Sequence, residues 1–102
     1  MTLYNENIIM EKPTIELEYC IKCGWLPRAT WISQEILNTF SNEVSGVVLI
    51  PSQIGGIFEI RCNNNLLWEK NNQKTIPDIK TLKQNIRDLI APNKTLGHID
   101  KL

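Results

Sequence analysis

Cys20-Ile21-Lys22-Cys23 is the densest concentration of reactive side chains in this sequence. Two thiols at this spacing can close a small disulfide and reopen it by thiol–disulfide exchange, in which a thiolate is the attacking species. The same pair could instead be half of a zinc site, or a structural pair without turnover. Zinc requires four ligands, and only Cys62 and His98 remain as additions. Neither lies at ribbon or finger spacing, because the second C-x-x-C or H-x-x-x-H is missing. Redox exchange is the chemistry these residue types fit best.

The elements on either side of the pair decide what its thiols can do. From Thr14 to Tyr19 the chain alternates, with Ile15, Leu17 and Tyr19 on one face and Glu16 and Glu18 on the other, the pattern of a strand buried on one side. After Cys23, the residues Leu26, Ala29, Thr30, Ile32, Ile36, Leu37 and Phe40 recur mainly at spacings of three and four, which predicts an amphipathic helix. Pro27 fits only its first turn, so the helix starts close to Cys23. Unpaired N–H groups and partial positive charge at a helix start favour thiolate over thiol. Lys22 and Arg28 could lower a thiol pKa further by proximity.

Ser41 and Asn42 end this helix, and Val44 to Ile50 follows as a nearly continuous apolar run, typical of a strand buried on both faces and paired in parallel with the first through the helical crossover. Pro51 to Gly56 is turn-rich, Ile57 to Cys62 alternates again, Asn63-Asn64-Asn65 suits a hairpin turn, and Leu66 to Lys70 reads as the return strand. Pro77 and Asp78 open a second helix whose stripe is Ile79, Leu82, Ile86, Leu89 and Ile90, and Pro92 stops it. The order is β-α-β-β-β-α, an α/β design of a four-stranded mixed sheet and two helices. Its cysteine pair lies at the carboxyl end of the first strand, where open α/β sheets usually place their chemistry.

With 102 residues the chain suffices for one domain, read as a flexible leader over 1–12, a folded redox domain over 13–92 and a tail over 93–102. Formal charge is zero, which disfavours nucleic acid and anionic membrane surfaces as partners. No apolar run approaches the roughly 18 residues of a membrane span, and Met1 to Lys12 lacks the apolar stretch of a signal peptide. An odd cysteine count of three argues against a secreted disulfide framework and favours a reducing, cytoplasmic setting.

Several spaced motifs occur in order: Tyr19-Cys20-Ile21-Lys22-Cys23, Trp25-Leu26-Pro27-Arg28-Ala29, Ile54-Gly55-Gly56-Ile57-Phe58-Glu59-Ile60, Leu67-Trp68, and the late Arg87-Asp88-Leu89-Ile90-x-Pro92 with Leu96-Gly97-His98-x-Asp100. Together they resemble the selenoprotein W, T and H (Rdx) family, most of all the bacterial-type selenoprotein W-related proteins. The resemblance spans about residues 14 to 100. It implies a thioredoxin-like fold and a thiol oxidoreductase in cellular redox homeostasis, with Cys20 and Cys23 matching the redox pair. Selenium lies at the second position of the pair in the selenocysteine-containing relatives, and here that position is the ordinary cysteine Cys23. No bound cofactor is needed, and glutathione or thioredoxin would serve as reductant for protein or small-molecule disulfides. The alternative is a redox-responsive protein-binding module without turnover.

Which thiol attacks is read two ways: a helix start often favours the first of such a pair, whereas the resemblance points to Cys23. Cys62 reads as a core or strand-end residue, and His98 as a surface or packing residue rather than a proton donor. Trp25, Trp31 and Trp68 read as packing residues, with Trp25 near enough in sequence to border the site. Gly55 and Gly56 are candidates for backbone contact with a substrate, as is Trp25 for side-chain contact.

Overall fold

The computed structural model describes residues 11–70 and 77–97. Its elements are β1 (Thr14–Cys20), α1 (Leu26–Phe40), β2 (Gly46–Ser52), β3 (Phe58–Cys62), β4 (Asn65–Glu69) and α2 (Ile79–Ile90). They form one four-stranded sheet in the order β2-β1-β3-β4. β1 is parallel to β2 and antiparallel to β3, and β3 pairs with β4 as a hairpin. This is the mixed α/β order read from the sequence, with β1 in the interior of the sheet.

The core lies between one face of the sheet and the two helices. Ile15, Leu17 and Tyr19 face it from β1, and their antiparallel partners Cys62, Ile60 and Phe58 face it from β3. Ala29, Ile32, Ile36 and Phe40 close it from α1, and Leu82 and Ile86 from α2. The buried stripe of each helix is narrower than its apolar content. Leu26, Trp31 and Leu37 on α1 and Leu89 on α2 stay exposed, because each helix meets the sheet along a single line. Trp31 therefore corrects the expectation that every tryptophan packs.

β2 departs from the sequence reading in two respects. It is parallel to β1, as expected, but it is an edge strand, and Val48 on its outer face is 45% exposed. Both helices pack on the same side of the sheet, so nothing covers the far side of β2 among the described residues. Apolar content here reflects strand propensity as well as burial. Pro51, expected in the turn, is inside β2 instead. The carbonyl of Ser52 accepts the Ile21 N–H at 3.2 Å, so backbone alternation turns the Pro51 nitrogen to the open edge, where no ladder bond is lost.

On the face away from the helices, Arg61 gathers three carboxylates. Its guanidinium contacts Glu16 Oε1 at 3.3 Å, Glu18 Oε1 at 3.2 Å and Glu59 Oε1 at 2.8 Å, joining β1 and β3 across the solvent side. The alternation of β1 thus has both its halves used, apolar into the core and acidic onto Arg61.

The hairpin turn is set by Asn63 and Asn64, with φ of 50° and 81°, between the paired residues Cys62 and Asn65. Positive φ at both central residues is what a two-residue hairpin turn requires, and asparagine tolerates it better than other side-chain-bearing residues. Asn64→Ala is expected to cost about 1 kcal/mol in urea unfolding, and Asn64→Gly to leave the unfolding free energy within about 0.5 kcal/mol of wild type.

Candidate redox site

Cys20 is the last residue of β1 and is anchored on both sides. Its N–H donates to the Ile57 carbonyl at 2.9 Å, and the next residue, Ile21, donates to Ser52 at 3.2 Å. The chain then reverses through residues 21–24. The Gly24 N–H donates to the Ile21 carbonyl at 3.3 Å, and Gly24 adopts a φ of +70° that an L side chain would resist. Trp25 caps α1, and its carbonyl accepts the Ala29 N–H at 2.9 Å. Pro27, lacking a donor, occupies the first turn as expected.

Cys20 and Cys23 are joined in a disulfide with their Cα atoms 5.4 Å apart. The two sulfurs differ in access. Cys20 is 1% exposed under the strand ends, whereas Cys23 sits in the exposed turn. A dissolved thiol or a partner protein can reach Cys23 far more readily than Cys20.

An aromatic row supports the turn from the core side. The Trp25 ring lies 5.7 Å from that of Phe58, and Phe58 in turn meets Trp68 edge-on at 5.8 Å. Phe58 is fully buried and Trp25 is half-buried, so Trp25 both packs and borders the redox turn. Lys70 Nζ lies 5.8 Å from the centroid of the same ring, within cation–π range. Lys70 is not marked as a site residue by its sequence surroundings, since it ends a return strand fifty residues away from the pair.

Residues 53–57 connect β2 to β3 beside the end of β1. The Ile57 N–H donates to the Ile54 carbonyl at 3.4 Å, and Gly56 carries a φ of +79°. Gly55 and Gly56 are exposed, and a Cβ at either would meet nothing within 4 Å. Glycine at position 56 thus answers to the backbone of the turn and not to close packing. Because Cys20 donates to Ile57, this connection and the redox turn are tied to the same strand end. Ser52 opens it: its hydroxyl oxygen accepts the Ile54 N–H at 3.1 Å.

Cys62 lies at the opposite end of the sheet, paired with Ile15 at the start of β1, and is 2% exposed. It is free, and burial pushes its thiol pKa up. This is the core position read from the sequence. His98 and most of the leader and tail lie outside the described residues. Among the described residues, no group of three or more His, Cys, Asp or Glu side chains is arranged to hold a metal ion, and no helix is long and apolar enough to cross a membrane.

A thiol with a raised folded-state pKa favours the native state fully below the unfolded-state value, near 8.5, and that contribution is lost as pH rises above it. Wild type should therefore lose stability relative to Cys62→Ala between pH 8 and 10, by at most about 1.4 kcal/mol per pH unit, in parallel urea titrations. Native Cys62 should also resist alkylation at pH 8 and react once the chain is unfolded.

Residues 14–88 match the Rdx family. A crystal structure from Bordetella parapertussis superposes with a TM-score of 0.73 at 40% identity, covering 78% of this chain and all of that one. The selenoprotein W-related protein from Vibrio cholerae superposes with a TM-score of 0.72 at 47% identity, covering 78% of this chain and 98% of that one. No curated protein matches the chain. The strand order, the cysteine pair at the end of β1 and these similarities agree on one fold, thioredoxin-like, and on a redox-related role: the chain belongs to the Rdx family, with cysteine at both positions of its C-x-x-C pair.

Proposed function

We propose that this protein is a thiol–disulfide oxidoreductase in cellular redox homeostasis, with Cys23 as the attacking thiol and Cys20 as the resolving one. The observation that carries this reading is the unequal access of a disulfide-bonded pair: Cys23 exposed in the turn, Cys20 buried beneath it. The same asymmetry supports Cys23 over Cys20 as the attacking thiol, since a nucleophile must reach a sulfur on another molecule.

In the reduced protein the Cys23 thiolate attacks one sulfur of a substrate disulfide, forming a mixed disulfide and releasing the other sulfur as a thiolate that takes a proton from water. The Cys20 thiolate then attacks Cys23 Sγ, forming the Cys20–Cys23 bond and expelling the second substrate thiolate. Two electrons pass from the protein to the substrate. A cellular thiol such as glutathione or thioredoxin returns them by the reverse exchange. Half-buried Trp25, two residues after Cys23, and the exposed Gly55-Gly56 backbone, just before the Ile57 carbonyl that accepts the Cys20 N–H, are the proposed substrate contacts. Such a cycle suits a reducing compartment such as the cytoplasm.

Paired single substitutions test the assignment. Cys20→Ser should retain attack and accumulate a stable mixed disulfide with oxidised glutathione, visible as an added mass. Cys23→Ser should form that adduct at least about tenfold more slowly, the factor expected from losing the accessible thiolate. Both should lose disulfide-reductase turnover. Full turnover in both variants would overturn the mechanism, and no turnover in the wild type would favour a redox-responsive binding module.

A further inference from the structure

We infer that the Ser52 hydroxyl donates a hydrogen bond to Cys20 Sγ when the pair is reduced, making Ser52 a positioning residue for the buried thiolate. The inference rests on the oxidoreductase reading for its purpose and on the sheet register for its geometry.

Ser52 is the direct partner of Cys20 in the parallel ladder between β1 and β2. Directly paired residues of adjacent strands project their side chains to the same face, from backbones about 4.8 Å apart. The register is held at this point by the Ile21 N–H donating to the Ser52 carbonyl. Ser52 and Cys20 therefore lie side by side at the closed end of the redox turn.

Both are buried, Cys20 at 1% and Ser52 at 7% exposed. A buried hydroxyl needs partners for its acceptor and its donor. The acceptor side takes the Ile54 N–H at 3.1 Å. That contact fixes the oxygen and leaves the O–H proton to donate. No nitrogen or oxygen among the described residues receives it.

While the disulfide stands, Cys20 Sγ is bonded to Cys23 and is a weak acceptor. Once the disulfide is reduced, the sulfur is released and, as a thiolate, becomes the strongest acceptor in this buried space. A hydrogen bond to the charged form lowers its pKa. The hydroxyl stays neutral throughout, and no proton passes through it. Its effect is to raise the fraction of Cys20 ready to attack Cys23 Sγ in the mixed disulfide. The charged groups on the same sheet face nearby are Glu18 and Glu59, both held by Arg61, while Lys22 and Arg28 are exposed. These are common to every variant below.

The test follows the titration of Cys20 by the chemical shift of its Cβ carbon against pH in the full-length, folded Cys23→Ser chain, a readout that needs no reagent to reach the buried sulfur. Ser52→Ala should shift the midpoint upward, corresponding to about a fivefold loss of thiolate at neutral pH, the usual worth of one hydrogen bond. Ser52→Thr should retain the wild-type midpoint, and Ser52→Val, isosteric with Thr, should behave as Ala does. Should Ser52→Ala fail to fold, the Thr and Val pair decides alone. Equal midpoints for Thr and Val overturn the inference. The titration needs no substrate, so hydroxyl dependence in a chain that fails as a reductase would refute the oxidoreductase and leave this contact standing. Normal turnover with equal midpoints would refute only the contact.

Discussion

The end of β1 is pinned from both sides, and the site depends on that. Cys20 donates to Ile57 on the β3 side, and Ile21 donates to Ser52 on the β2 side, so the first sulfur is fixed by backbone hydrogen bonds to two different strands. Such bonds, buried and directional, are costly to leave unmade. Only after this anchor does the chain turn away, and the second sulfur rides on that turn. A buried sulfur beside an exposed one is a direct consequence of placing the pair where an interior strand ends.

The rest of the fold serves to make β1 interior. The helical crossover puts β2 on one side in parallel, and the β3–β4 hairpin supplies an antiparallel neighbour on the other. One face of the sheet is sealed by α1 and α2, while the other is held by Arg61 with Glu16, Glu18 and Glu59. Partly exposed ion pairs contribute little stability one by one. Their arrangement here is informative for a different reason: three carboxylates converge on one guanidinium that ties β1, the strand ending in Cys20, to β3.

Burial also separates the three cysteines chemically. Cys62 is enclosed at the far end of the core, where desolvation keeps its thiol neutral and unreactive. Cys20 is enclosed at the other end of β1, on the opposite sheet face, beside Ser52 and its partner sulfur. Cys23 alone is open to solvent. Three identical side chains thus differ in access according to surroundings alone: one enclosed in the core, one enclosed at a strand end and one exposed in a turn.

Much of this was legible in the residues. The alternation of Thr14 to Tyr19, the three-and-four spacing from Ala29 to Phe40, the asparagine turn and the proline stops each follow from backbone geometry acting over a few neighbours. Local rules of that range reach the elements, their order and the redox pair. They fail where a property depends on what lies across the sheet. Val48 and Pro51 looked like a doubly buried strand and a turn because local pattern cannot tell an edge strand from an interior one; the strand order decides the edge, and the side the helices pack on decides which face is covered. Trp31 and Leu37 looked like core because apolar content does not say how wide a helix's contact line is. Ser52 beside Cys20, and the burial of Cys20 against the exposure of Cys23, exist only once the parallel register brings positions 20 and 52 together. The sequence by itself determined where the paired thiols lie and which elements carry them; the tertiary structure decided which of the two is exposed and what lies next to the other, because access and register are properties of the assembled sheet.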